Sequence, residues 1–369
     1  MNVLVLPAPD SNHFALDATG HTANNFDFLR LLAASAVLFS HCFAISAQGG
    51  NEPLVVWTHG AYTLGGLAVR VFFVISGFLV TTSWLRDPRV VPFALARTLR
   101  IFPALAVALA YCVLVGLFTT TLTKAQFLSH PDTWRFFWNN LTLRTEFFLP
   151  GVFTDNPAPN AVNGSLWSLY YEIRAYLVVL VLGVPGLMRN RMVGALAWGA
   201  AASLAFLYPA AWGMTQEHDW PVVNACLCFV GGALLALYPR IARWPGLGVI
   251  ALVSAAAIPI LLGTRYADIP MDLLLVSGTL WFSYCPLPHL QYFGKFGDFS
   301  YGVFIYAFPT QQLMAWWGIG SHNTYVMLAA AFPATLVLAA LSWHCVERPC
   351  RDLRRYFRKP KAAVQDTNS

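Results

Sequence analysis

Residues 24–43 read NNFDFLRLLAASAVLFSHCF, and this stretch decides the fold. It is apolar enough, over about 20 residues, to cross the hydrocarbon core of a bilayer. Its ionisable groups are Asp27, Arg30 and His41. Asp27 and Arg30 are three residues apart and can pair on one helix face. At about 100° per residue, the eleven steps from Arg30 to His41 return to within roughly 20° of the same face and advance about 16 Å. One stripe of a membrane span therefore carries a carboxylate, a guanidinium and an imidazole. Charge at membrane depth is expensive, which makes each a functional candidate. The competing reading is a buried ion-pair network that only fixes helix register.

Nine further stretches share this apolar character: 62–84, 100–121, 164–184, 192–212, 221–238, 244–262, 268–285, 299–318 and 324–345. Together with 26–48 they predict an all-α polytopic membrane protein of about ten transmembrane helices. Composition agrees. The 369 residues are 57% hydrophobic and 11% charged, with mean hydropathy +0.56, against about 25% charged in soluble domains. Such a chain is neither disordered, nor a nucleic-acid-binding domain, nor an ordinary cytosolic enzyme. The seven cysteines form no C-x-x-C pair and read as packing residues. No cluster has metal-ligand spacing, so no metal is implied.

Positive charge sets the sidedness. Arg86, Arg89, Arg97, Arg100, Arg189, Arg191, Arg240, Arg243, Lys295 and the seven basic residues from Arg348 to Lys361 fall on one side, sixteen in all. Lys124, Arg135, Arg144 and Arg265 fall on the other, and Arg30, Arg70 and Arg174 lie inside spans. The positive-inside tendency then predicts both termini in the cytoplasm. Residues 1–25 lack the basic-then-apolar order of a secretory signal. They read as a cytoplasmic segment before a transmembrane domain over 26–346 and a basic tail over 347–369. The outer loop 122–163, with Trp134, Trp138, Phe147 and Phe148, reads either as a lid or as a loop anchored by its aromatics.

Two more spans carry candidates. Arg70 precedes FFVISGF (72–78), about 12 Å from the outer end if the helix starts near Tyr62. Ser76-Gly77 there permits close approach of a helix or a ligand. The fourth span opens NGSLWSLYYEIRAY (163–176), with Asn163 as a candidate cap and Glu172 about 12 Å inside. His41, Arg70 and Glu172 are thus expected at similar depth, forming a polar centre in which neutral imidazole can serve as a base near pH 7. At the cytoplasmic end, Arg97 and Arg100 share a face. Their forked donors suit a diphosphate or, alternatively, lipid headgroups.

These residues carry a resemblance to the acyltransferase 3 family of bacterial membrane acyltransferases, over about residues 24–350. DFLRLLAASAVLFSH (27–41) is similar to the family's Arg-x10-His signature, and FFVISGFL (72–79) to its most recognisable motif. RTLRIFP (97–103), SLWSLYYE (165–172), GDFSYGVFIYAFP (297–309) and WHCVERP (343–349, with Glu347) follow in family order. Many relatives carry a histidine after the ninth-span motif, where this chain reads IYAFP. Some also carry an extracytoplasmic SGNH domain after the membrane domain, whereas this chain ends at residue 369.

The resemblance implies a stand-alone, multi-pass O-acyltransferase of the bacterial inner membrane. Such an enzyme moves an acetyl or short acyl group from cytoplasmic acetyl-CoA to a hydroxyl of a surface polysaccharide, lipopolysaccharide or related glycolipid. On that implication Arg97 and Arg100 hold the donor phosphates, with Arg30 along the channel. His41 acts as general base or carries the acyl group transiently. Glu172 orients His41 or binds the acceptor. Arg70, Ser76, Tyr170, Tyr171 and Asn163 are candidate acceptor contacts. The expected partners are acyl-CoA, a glycan or glycolipid and the lipid bilayer, without nucleic acid. The rival reading is a proton-coupled transporter of a lipid-linked sugar or small anion, with the intramembrane His, Arg and Glu as a relay. The lack of an internal repeat counts against it.

Overall fold

The computed structural model describes residues 24–207, 220–264 and 266–353. Most of the expected N-terminal segment, the tail beyond Leu353 and Arg265 of the outer charge set lie outside the described residues. Among the described residues the protein is all-helical, and the extended pairings are two isolated bridges, Thr120–Val152 and Phe148–Ala161.

Ten helices of sixteen residues or more occur among the described residues: α1 (Phe26–Ile45), α2 (Leu64–Arg86), α3 (Val90–Thr119), α4 (Trp167–Gly183), α5 (Arg191–Leu207), α6 (Trp220–Leu237), α7 (Gly246–Leu261), α8 (Asp268–Tyr284), α9 (Ser300–Trp316) and α10 (Thr324–Ser342). Each coincides with one of the ten apolar stretches. Four are long and apolar enough to cross a membrane: α1, α2, α3, and α10 with its continuation to Leu353. Short helices occupy connections, including Lys124–Ser129 and Pro131–Leu141 in the 122–163 loop.

Two boundaries differ from expectation. Helix α3 starts at Val90 rather than near residue 100, because Pro92 falls in its first turn, where a missing N–H costs nothing. Arg97 and Arg100 therefore sit well inside a helix. Helix α4 starts at Trp167, so Asn163 is not its cap. Asn163 is buried instead. Its amide donates to the Ile305 carbonyl at 2.9 Å, and its side-chain oxygen accepts from the Ser165 N–H.

Helix α2 is the central element. Its most apolar stretch is 67% buried, against 33–44% for the other three long helices. It packs most closely on α6. A Cβ at Gly77 would strike the Phe229 carbonyl, and one at Gly232 would strike the Val74 carbonyl. Two glycines facing each other's backbone remove the side chains that normally hold helices apart.

Side-chain contacts fix helix direction. Arg30 near the start of α1 meets Asp298 just before α9. At the other end, Ser46 after α1 meets Thr324 at the start of α10 at 2.9 Å. Gly183 closing α4 abuts the Trp84 ring near the end of α2. Consequently α1, α3 and α9 start at one end of the bundle, where α2, α4 and α10 finish. Arg86, Arg89, Lys295 and Arg348 belong to that same end. There α10 passes through a wide π turn, Trp343–Glu347, before the short helix Arg348–Leu353. Ser342 donates to the Glu347 carboxylate across this turn at 2.9 Å.

Candidate active site

A cavity of about 280 Å³ opens between α1, α2, α3, α4 and α9. Its mouth is cationic. Arg30, Arg97 and Arg100 all line it, which unites the stripe of α1 with the shared face of α3. Arg30 is 12% exposed and Arg100 41%, so Arg100 lies nearer the opening. Arg100 donates to Asp298 at 3.0 Å, and Arg30 lies 3.6 Å from Asp298 and 3.5 Å from Asp27. The Arg97 guanidinium stacks 4.3 Å over the Phe93 ring, a contact that favours a cation on an aromatic face.

Deeper in, the wall is polar and uncharged except for Glu172. Ser76 donates to the Glu172 carboxylate at 2.9 Å, and the Tyr176 hydroxyl donates to the same oxygen. Tyr176 stands one turn beyond Glu172, so both side chains lie on one face of α4. Ser168, one turn before Glu172 on α4, lines the cavity farther in. The far end is apolar, made by Val69, Phe72, Phe73 and Phe304. Cations thus mark one end of the cavity and Ser76, Glu172 and Tyr176 its middle, with the rings of Phe72 and Phe304 beyond them.

The expected polar centre of His41, Arg70 and Glu172 does not assemble. Glu172 is in the cavity. Arg70 is buried elsewhere, 3.0 Å from both Asp268 and Asp272 of α8, which stand one turn apart and share its charge. Paired in this way, Arg70 ties α2 to α8, away from the cavity that holds Glu172. His41 is half-buried and meets the Phe308 ring edge to face at 5.1 Å. Phe308 holds this place because residue 164 is glycine: a Cβ there would lie 2.7 Å from the ring. His41 Nδ1 is buried without a hydrogen-bond partner. On the facing helix the Gln311 amide donates to the Leu38 carbonyl at 2.8 Å, bracketing His41's turn of α1.

Of the remaining candidates, Ser76 lines the cavity. Tyr170 lies under the Arg174 guanidinium at 4.2 Å, and Tyr171 packs on Trp167. Neither tyrosine is among the cavity's lining residues. Sequence reasoning missed Tyr176, Asp298 and Phe304. The first was visible as a tyrosine four residues after Glu172. Asp298 was visible as the one charged residue of GDFSYGVFIYAFP, whereas Phe304 in the same stretch has no charge or spacing pattern that sets it apart.

Comparison with known proteins adds an independent line. A family profile described as an acyltransferase domain matches residues 24–344. The chain is 29% identical over 348 residues to an "O-acetyl transferase" of Shigella phage Sf6, covering 89% of this chain and 96% of that protein. It is likewise 29% identical over 374 residues to "Nodulation protein 10" of Rhizobium leguminosarum bv. viciae, covering 94% and 96% respectively. No solved structure matches the chain.

Proposed function

The chain belongs to the acyltransferase 3 family, and from that premise we propose that it is an inner-membrane O-acyltransferase using acetyl-CoA to acetylate a hydroxyl of a surface polysaccharide, lipopolysaccharide or related glycan. The observation that carries this reading is the order of side chains along the cavity. Three guanidiniums suit a nucleotide's phosphates, since arginine forks match phosphate oxygens. The belt of Ser76, Glu172 and Tyr176 suits an arm rich in amides. The apolar end suits an acyl group.

Length supports the same donor. From Ser83 near the mouth to Phe72 at the far end is eleven residues of α2, or about 16 Å. An extended chain advances about 1.2 Å per bond, so the roughly 13 bonds from phosphate to sulfur in pantetheine span about 16 Å. The basic end of the bundle faces the cytoplasm in this reading, with both termini there, and CoA enters from that side. The phage relative's name supports an acetyl group and an oxygen acceptor.

His41 lies on α1, one turn of α9 beyond Phe304 as marked by Phe308, and acts as the base. A hydroxyl is a poor nucleophile at neutral pH until a base takes its proton, and a positioned base contributes about 10²–10⁴-fold. The acceptor oxygen attacks the thioester carbonyl as His41 takes the proton. The carbon–sulfur bond then breaks, the proton held by His41 passes to the sulfur, and the CoA thiol departs through the mouth. Attack by His41 itself, followed by transfer to the acceptor, gives the same products in two steps.

The test is transfer of labelled acetyl from acetyl-CoA to surface polysaccharide, using purified protein in lipid discs and glycan from cells lacking the gene. Label in the glycan, dependent on the protein, is the expected result. Absence of both transfer and CoA release overturns the reading.

A further inference from the structure

We infer that the outer loop carries a saccharide subsite for the acceptor, in a concavity lined by His130, Asp132, Arg135, Glu146 and Phe148. This rests on reading the protein as a glycan O-acyltransferase. The concavity measures about 440 Å³, within the roughly 300–1,000 Å³ of small-ligand sites. No residue lines both it and the arginine-lined cavity.

The short helix Pro131–Leu141 builds one wall. Asp132, Arg135 and Phe136 fall at i, i+3 and i+4, so they share a face. Phe136 is buried, while Arg135 is exposed and donates to Asp132 at 2.6 Å. Trp134 and Trp138 lie on the other face and line no part of the concavity. The segment 146–150 builds the facing wall. Asn139 donates to the Glu146 carboxylate at 3.0 Å, and Asn140 to the Glu146 carbonyl at 2.9 Å. The Phe148 ring beside them is exposed. This lining selects its ligand. Two carboxylates oppose a polyanion, and Arg135 opposes a cation. Together with His130 they offer hydrogen-bond donors and acceptors around one aromatic ring. A sugar answers both halves, with hydroxyls on its rim and C–H groups on its faces.

Placement favours the same ligand. His41 stands four residues before the end of α1, about 6 Å from its outer terminus. The loop joins α3 to α4 at that same end. The Val162 N–H donates to the Phe147 carbonyl at 2.7 Å. Gln312 of α9 donates to the Ala158 and Ala161 carbonyls, both at 2.7 Å. Gln312 is one turn past Phe308, whose ring meets His41. Subsite and base are thus braced by the same stretch of α9. One sugar of the acceptor occupies the concavity while a neighbouring unit presents its hydroxyl to His41.

The experiment is equilibrium binding of surface polysaccharide fragments, taken from cells lacking the gene, to purified protein in lipid discs. Arg135→Ala, Glu146→Gln and Phe148→Ala are compared with the wild type. The two polar variants are expected to bind the fragments about tenfold more weakly, as loss of a charge-assisted hydrogen bond does. Phe148→Ala weakens binding too, and all three keep wild-type affinity for acetyl-CoA, which also certifies their fold. Arg135 and Phe148 are exposed, so their removal leaves the core intact. Arg144→Ala, which removes an exposed loop cation outside the concavity, is expected to bind as the wild type does. A wild type that transfers acetyl, with all three variants binding fragments normally, overturns the inference alone. So does an equal loss in Arg144→Ala, which marks diffuse charge rather than a subsite. A wild type that neither transfers acetyl nor releases CoA overturns the acyltransferase reading, and this inference with it.

Discussion

Asp298 accepts a hydrogen bond from Arg100 at 3.0 Å, reaching the guanidinium from the turn just ahead of α9. The same carboxylate lies 3.6 Å from Arg30, so a single anion holds two of the three cavity arginines. Burial works against its charge, but Arg100, Arg30 and the Ser300 hydroxyl outweigh burial and hold its carboxyl below the usual range. A group depressed in this way contributes stability above its unfolded value, about 3.9. That contribution is lost as pH falls through the lower folded value. The melting temperature of the wild type is therefore expected to fall more steeply between about pH 5 and pH 3 than that of Asp298→Asn. Parallel melting curves across that range contradict the assignment.

Arg97→Ala is expected to weaken acetyl-CoA binding by about tenfold or more, as loss of a charge-assisted contact to phosphate does. Arg97→Lys restores only part, because an ammonium lacks the fork. Arg97 is a cleaner test than Arg100, whose removal also frees Asp298. Titration on purified, folded protein decides it, and unchanged affinity in the Arg97→Ala, Arg100→Ala double variant places the donor elsewhere.

For His41, alanine and glutamine are both expected to reduce acetyl transfer by at least about 10²-fold while acetyl-CoA still binds. Glutamine retains hydrogen bonding near the size of imidazole yet cannot take a proton at neutral pH. A histidine that only packs against Phe308 gives a different pattern, with glutamine active and alanine lost through instability. Near-normal transfer by a folded His41→Gln protein removes the residue from the chemistry.

Gly77→Val places two methyl groups where the Phe229 carbonyl stands. Overpacking of this kind costs about 1–3 kcal/mol, so thermal stability in detergent is expected to fall. Gly199, whose Cβ would meet nothing within 4 Å, tolerates alanine and serves as the control. Equal melting temperatures for the two variants contradict the close approach of α2 and α6.

A reporter fused after Lys361 is expected to work only in the cytoplasmic form, given sixteen basic residues on one side of the spans and four on the other. Activity of a periplasmic reporter at that site reverses the orientation.

The helices were legible because apolar runs of membrane length have few alternatives, and each such run became a helix. The faces of the three cavity arginines were legible too: Arg97 and Arg100 three apart, and Arg30 on a charged stripe, declare them through periodicity. The fate of Arg70 was not legible. Depth along one helix says nothing of which neighbour it faces, and the carboxylates that claim it, Asp268 and Asp272, begin a helix nearly two hundred residues away. Asn163 misled for a local reason. Asparagine caps helices often, but here its amide satisfies the Ile305 carbonyl, and the first turn of α4 starts beyond it. Phe304 escaped notice because a phenylalanine among apolar neighbours carries no mark until a second ring, Phe72, is brought to it.

The π turn at Trp343–Glu347 divides the last long helix into two stretches with separate phase. At its start, Trp343 is set by its neighbours Phe299 and Gly297. At its end, Glu347 reaches back to Ser342, five residues earlier, a spacing an α-helix does not bring into line. The turn takes up one residue more than an α turn, so everything beyond it points about 100° away from where an unbroken α-helix of the same residue count would aim it. Chimeras that exchange this helix between related proteins must therefore carry the loose turn with it, since matching the number of residues on either side does not by itself preserve where the basic end points.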